Sequence, residues 1–244
     1  MIRFIWIVGT IVWFLITRFP VLFIEKKRHE TDPVNSELRQ LRLVQKTFAK
    51  CVKRTGADVT VIGEEHVPTD QAVLYVANHK SLLDIPLTYS RVPGRTGYVS
   101  KDSMGKVPVF SIWMERLHCM FLDRSNIKEG LKMVLSGIEK IKSGISIFIF
   151  PEGTRNTTDD LMLPFKEGSV KMAEKTGCLI IPVAISGTAE IFERQKPRVV
   201  PGKVILEYGE PIDPKALTKE EKKFLGAYCQ KKIEAMLLAH KEMM

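Results

Sequence analysis

The sequence predicts an α/β fold, a mixed, mostly parallel sheet flanked by helices, and three observations carry that prediction. From Ala57 onward, short apolar runs alternate with longer amphipathic segments, and repeated β-then-α order builds a layered α/β sheet. Several of those runs are continuously apolar, as in strands covered on both faces. The chain's 244 residues, 45% hydrophobic and 27% charged, suit one sizeable domain plus an appendage and argue against disorder.

The appendage is expected in residues 1–56, ahead of the sheet-bearing domain in residues 57–244. Phe4 to Thr17 is uncharged and rich in Ile, Val, Phe and Trp; Arg18 interrupts, Phe19 to Ile24 resume, and Lys26-Lys27-Arg28 close the segment. The uncharged stretch alone is too short for a hydrocarbon core of about 30 Å. With Arg18 reaching out to the head groups, Phe4 to Ile24 would just span it. A transmembrane helix and an in-plane, half-inserted anchor fit equally. A cleaved signal peptide fits less well, since no small-x-small site follows and positive charge does. Asp32-Pro33 then offers an N-cap and a first-turn proline. Leu38, Leu41, Val44, Phe48 and Cys51 recur at helical steps among Arg39, Arg42, Lys46, Lys50 and Lys53, and Gly56 can end the helix.

Strands are predicted at 59–62, 73–77, 97–100, 119–122, 145–150, 179–185 and 204–208. Helices are predicted at 81–91, 109–117, 128–141, 167–175 and 219–240. Asn126 with Glu129, and Thr218 with Glu221, read as capping boxes.

The net charge of +9 is localised. Residues 1–56 carry 11 Lys/Arg against 4 Asp/Glu, whereas 57–244 carry 26 against 24. Cations flanking an apolar helix are drawn to anionic lipid, while a nucleic-acid binder would spread them over its folded face. The chain is therefore read as a membrane partner and not a nucleic-acid partner. Four scattered cysteines without a C-x-x-C pair read as reduced thiols in a cytosol-facing protein. No metal-ligand cluster stands out.

Two blocks can carry chemistry. Asn78-His79-Lys80-Ser81-Leu82-Leu83-Asp84 follows an apolar strand, so His79 sits at a strand's C-terminal end, where active sites of α/β folds gather. Five residues turn through about 500° in a regular helix, so His79 and Asp84 meet only if His79 lies in the turn before the helix and Asp84 one turn inside. Asp84 would then accept the Nδ1 proton and leave Nε2 as a base, with the nucleophile supplied by a substrate hydroxyl. Alone, an H-x4-D spacing is equally that of a solvated or capping histidine. Phe150-Pro151-Glu152-Gly153-Thr154-Arg155 also follows a strand. Glycine allows close backbone approach, threonine supplies a hydroxyl and arginine contacts phosphate. Glu152 would bind a substrate hydroxyl or hold Arg155.

Together with Ser100-Lys101-Asp102, Phe121-Leu122-Asp123-Arg124 and Ile181-Pro182-Val183, these blocks resemble, in order and spacing, the four blocks of the glycerolipid acyltransferase family. The match is to its 1-acyl-glycerol-3-phosphate acyltransferase branch. It runs from about Asn78 to Val183; Asn156 stands where many members have serine. The resemblance implies that residues 57–244 are the catalytic domain and that the N-terminal helices form a membrane appendage. It implies His79 as general base and Asp84 as its orienting partner. Lys101, Arg124 and Arg155 would bind the acceptor phosphate, with Glu152, Gly153 and Thr154 shaping the acceptor subsite. A solvated loop lysine is an equal reading of Lys101, and the more natural one of Lys166. The implied reaction transfers an acyl group from acyl-CoA or acyl carrier protein, as co-substrate, to lysophosphatidic acid at the cytoplasmic face of a membrane. No cofactor is implied. A related acyltransferase acting on a different lysophospholipid or polyol acceptor is the closest rival; a hydrolase is the rival from another class, but neither G-x-S-x-G nor H-E-x-x-H occurs.

Overall fold

The computed structural model describes residues 1–123 and 126–244, and of Ile127 the backbone alone. Three helices come first: α1 (Ile2–Thr17), α2 (Phe19–His29) and α3 (Pro33–Thr55). Asp32 caps α3 by accepting the Asn35 N–H, Pro33 opens it, and Gly56 closes it at φ 76°, a left-handed conformation that suits glycine. The alternating region follows: β1 (Asp58–Ile62), β2 (Leu74–Ala77), α4 (Asp84–Tyr89), β3 (Thr96–Lys101), α5 (Phe110–Arg116), β4 (Met120–Leu122), α6 (Ile127–Lys142) and β5 (Ser146–Ile149). The chain ends with α7 (Lys171–Thr176), β6 (Ile180–Ser186), β7 (Lys203–Tyr208), α8 (Lys219–Lys223) and α9 (Leu225–Met243).

All seven expected strands form, in one sheet of order β1-β7-β6-β2-β5-β3-β4. Every pairing is parallel except β6 with β7. The central strands are buried throughout, as their unbroken apolar runs require. One sheet face carries Tyr75, Phe148, Ile181 and Leu206 and packs beneath α3 and α4; the other carries Leu74, Ile147, Ile180 and Ala184 and packs beneath α9.

Three expected helices are altered, for local reasons. The helix expected at 81–91 begins only at Asp84, because the Asp84 carboxylate takes the N–H groups of Lys80 and Ser81. The segment expected at 167–175 is a 3₁₀ turn before α7. The helix expected at 219–240 breaks at Phe224, and the Glu167 carboxylate accepts the Gly226 and Ala227 N–H groups at the start of α9. Thr218 and Glu221 form the expected capping box on α8, while Asn126 caps α6 through the Lys128 N–H.

The N-terminal helices share the core of the sheet. Ile7, Leu22, Leu41, Val44 and Cys51 belong to one cluster with Tyr75, Tyr98 and Phe148. Arg54 bonds the Trp6 carbonyl at 2.8 Å, and the Glu25 carboxylate accepts from Ser36 at 2.8 Å and Arg39 at 3.2 Å. The axes of α1 and α2 meet at 51° around Arg18. Among the described residues no single helix is long and apolar enough to cross a membrane, although this bent pair is by length and composition. The cysteines are unpaired. Burial pushes the Cys51 and Cys119 thiols up to about 11 and Cys229 up to about 12.

One buried carboxylate pins α3 to the far end of the sheet. Oε2 of Glu37 lies 3.1 Å from Arg95 Nη1 and 3.1 Å from His118 Nε2. Burial alone would push this carboxyl up, but His118 and Arg95 outweigh burial and hold it below its usual 4.5. A carboxyl lowered by folding stabilises the native state above its unfolded pKa and loses that contribution as pH falls through the folded one. Glu37→Ala is expected to lower the unfolding free energy at pH 7 by roughly 2 kcal/mol. Chemical denaturation of both proteins at a series of pH values should show the difference shrinking below the usual 4.5.

Candidate active site

Three neighbouring parallel strands, β6, β2 and β5, deliver their C-terminal ends to one place. The chain leaves β2 at Ala77, and Asn78 continues the ladder with its side chain: Nδ2 donates to the Ile185 carbonyl at 2.9 Å and Oδ1 accepts the Ile185 N–H at 2.8 Å. This fixes the next residue, His79. Its ring stacks on Phe150 at 4.1 Å between centroids. Phe150 in turn rests against Phe148, and Phe148 stacks on Tyr75 and Tyr98. The imidazole therefore caps an aromatic column on the sheet face that the N-terminal helices cover.

His79 Nδ1 lies 2.8 Å from Asp84 Oδ2. Asp84 opens α4 instead of standing one turn inside it. It is fully buried, and its two oxygens accept four hydrogen bonds. The Lys80 and Ser81 N–H groups reach Oδ2 at 2.9 and 2.8 Å beside the imidazole, and Thr188 donates to Oδ1 at 2.6 Å. A carboxylate on Nδ1 selects the tautomer with its proton there and leaves Nε2 as the basic nitrogen. Nε2 makes no hydrogen bond among the described residues.

Glu152, expected to meet substrate or hold Arg155, has both oxygens engaged by backbone. Oε1 accepts the His79 N–H at 2.6 Å and Oε2 the Leu163 N–H at 2.7 Å. Burial pushes its carboxyl above the usual range despite those donors. The Asn156 N–H returns to the His79 carbonyl at 2.8 Å, so the two blocks are laced together through main chain. Gly153 has φ 71°, and a Cβ there would stand 2.9 Å from Lys166 Nζ. Lys166 thus packs over this turn. Thr154 is exposed beside it.

Arg155 reaches Glu193, not Glu152, with Nη1 2.8 Å from Oε1. Lys80 Nζ binds the Thr158 and Asp160 carbonyls and braces the loop after Arg155. Lys101 stands exposed at the end of β3, without a side-chain hydrogen bond or ion pair among the described residues. The expectation for Arg124 lies outside the described residues.

A family model described as "Acyltransferase" matches residues 58–186, which contain both laced blocks and all three strand ends. The chain belongs to the acyltransferase family. It is 35% identical to a 1-acyl-sn-glycerol-3-phosphate acyltransferase of Haemophilus influenzae, over 70% of this chain and 72% of that protein. A Saccharomyces cerevisiae protein of the same name is 32% identical over 77% of this chain, which spans 61% of that protein's length. The crystal structure of the LPA acyltransferase PlsC from Thermotoga maritima superposes with a TM-score of 0.81 at 31% identity, covering 98% of this chain and 94% of that one. The mixed sheet and the three N-terminal helices of this acyltransferase lie within that superposition.

Thr188 carries no signal in the sequence. It lies two residues beyond β6, just past the Ile181-Pro182-Val183 block, and only sheet order reveals that β6 ends beside β2. Thr188→Val keeps the shape and deletes the donor to Asp84. Its kcat is expected to fall by roughly tenfold, the scale of one hydrogen bond to a charged group. Thr188→Ser should retain most of the activity. Acyl-transfer kinetics beside thermal melts check both variants.

Proposed function

We propose that this acyltransferase moves a fatty acyl group from an acyl thioester to the sn-2 hydroxyl of 1-acyl-sn-glycerol-3-phosphate, giving phosphatidic acid. The observation that carries the mechanism is the imidazole of His79, held through Nδ1 by a buried carboxylate and open at Nε2. Nε2 takes the hydroxyl proton as the oxygen attacks the thioester carbonyl. The tetrahedral adduct collapses, the carbon–sulfur bond breaks, and the departing thiolate takes the proton back from the imidazolium. The products are the new ester and a free thiol, and His79 is regenerated. Asp84 keeps the ring oriented and stabilises its transient charge.

The acceptor assignment draws on relatives named 1-acyl-sn-glycerol-3-phosphate acyltransferases and on Arg155, whose guanidinium suits a phosphate monoester. The donor, acyl-CoA or acyl carrier protein, is one that carries its acyl group as a thioester. Purified protein assayed with both donors against lysophosphatidic acid and phosphate-free acceptors tests the assignment. Lysophosphatidic acid is expected to be the preferred acceptor. His79→Ala should lose about 10²–10⁴-fold in turnover while remaining folded. Near-normal turnover in that variant would refute the mechanism.

The same reading places the enzyme on the cytoplasmic face of a membrane, half-inserted through α1 and α2. Ile7, Thr10 and Phe14 turn α1 toward the protein, while Ile2, Ile5, Trp6, Trp13 and Ile16 stay exposed, as do Phe19, Phe23 and Ile24 on α2. So many exposed large apolar side chains on two short helices mark a partner. Lys26, Lys27 and Arg28 close α2 and suit anionic head groups. Because α3 belongs to the core, the anchor is better tested by substitution than by deleting residues 1–56. Trp13→Ser combined with Ile16→Ser, both exposed and outside the core, is expected to reduce co-sedimentation with anionic vesicles without lowering the melting temperature. High salt should release the unaltered protein only in part, since screening leaves apolar insertion intact.

A further inference from the structure

The turn after β6 returns to the active site a second time. Residues Ala189–Glu193 form a short π-helical turn. Phe192 on this turn stacks against Phe4 of α1 at 5.6 Å. Glu193, the next residue, turns its carboxylate the other way and is largely buried. A single atom, Oε1, accepts the Leu82 N–H at 2.8 Å and Arg155 Nη1 at 2.8 Å. Its other oxygen pairs with the Lys196 ammonium. Leu82 lies in the loop between His79 and Asp84, so one oxygen joins the segment that carries the base to the arginine of the other block.

That geometry matters for this acceptor. In 1-acyl-sn-glycerol-3-phosphate the reacting hydroxyl and the phosphate sit on adjacent carbons, so the base and the phosphate-binding cation must stand at a set separation. A free arginine side chain has many rotamers and sets no distance. With Nη1 held by a carboxylate, one end of the guanidinium is anchored and its range is narrowed. Its Nε and Nη2 groups, which make no hydrogen bond among the described residues, form an edge that takes two phosphate oxygens. Lys196 sets a second cation beside it, its ammonium held below the usual value by burial and by the Arg155 charge. The carboxylate also keeps the two cations from repelling each other when no substrate is bound.

We infer that Glu193 is a positioning residue that sets the distance between the phosphate-binding guanidinium of Arg155 and the base-bearing loop of His79. This rests on the reading of Arg155 as the phosphate ligand, and the test separates the two. Acyl transfer is measured for the unaltered protein, Glu193→Gln, Arg155→Ala and the double variant, with KM for lysophosphatidic acid, KM for the thioester donor, kcat and a melting curve for each. Arg155→Ala is expected to raise the acceptor KM by about tenfold and to leave the donor KM unchanged. Glu193→Gln should raise the acceptor KM by about three- to tenfold alone and add little in the Arg155→Ala background, because the two act as one unit. Glu193→Asp is the second variant, keeping the charge and drawing the carboxylate back by one methylene. Its kcat is expected to fall by roughly tenfold or more at an unchanged melting temperature, as misplacement by about an ångström does.

Each contrary result is distinct. An acceptor KM untouched by Arg155→Ala overturns the phosphate reading and the inference with it. A normal acceptor KM in Glu193→Gln beside a raised one in Arg155→Ala overturns the inference alone. A Glu193→Gln effect that persists in full in the double variant shows that Glu193 works elsewhere. A lowered acceptor KM in Glu193→Gln shows a carboxylate that competes with phosphate, and also overturns it.

Discussion

The candidate active site depends on one buried carboxylate having enough donors. Asp84 is fully enclosed, and an anion taken out of water is costly unless its oxygens are hydrogen-bonded. The four donors come from the end of β2, the loop before α4, and the far end of β6. Solvating Asp84 therefore requires β2 and β6 to be in register and the loop at residues 80–83 to be closed. The sheet is the means by which a carboxylate with the right partners is assembled under an imidazole. Asn78 makes the register explicit, since its amide continues the β2–β6 ladder one residue past the strand. Glu152 does the matching job from β5, giving one oxygen to the His79 amide and the other to Leu163.

What was legible in the sequence follows from which of these forces are local. The central strands were readable because burial on both faces demands uninterrupted apolar runs, whereas Asp58–Ile62 and Thr96–Lys101 include polar residues and are marked by the strand-then-helix alternation. Helix ends were less readable. The start of α4 is set by Asp84 drawing in two amides, and the start of α9 by Glu167, 58 positions before Leu225 in sequence and invisible to periodicity. The antiparallel β7 was equally hidden, because strand direction is decided by where the connecting chain runs.

The site divides in the same way. His79, Asp84 and Glu152 stand out in the sequence because each belongs to a recognisable block after an apolar run, with His79 just past β2, Glu152 just past β5 and Asp84 at the start of α4. Thr188 is also just beyond a strand end, yet a threonine there carries no signal until β6 is known to neighbour β2. Glu193 has no signal at all: it is one glutamate at the end of a short turn, and only the fold brings it between Leu82 and Arg155. The partner of Arg155 was hidden in the same way: the block offers Glu152, whose oxygens accept backbone N–H groups of the two loops, while Arg155 reaches Glu193.

The core shared by α1–α3 and the sheet has a consequence for how this molecule searches for its substrate. A catalytic domain on a flexible tether would sample many orientations above a surface, and only some encounters would be productive. Here the chain passes from α3 to β1 through Gly56 and Ala57, with Cys51 already inside the common core. There is no slack to tumble on. The apolar side of α1 and the aromatic column under His79 belong to one rigid body, so whatever plane receives the first also fixes the angle from which the second is approached. On the membrane surface proposed for α1 and α2, rotational search is removed before any lipid binds, and the remaining search is lateral diffusion in two dimensions.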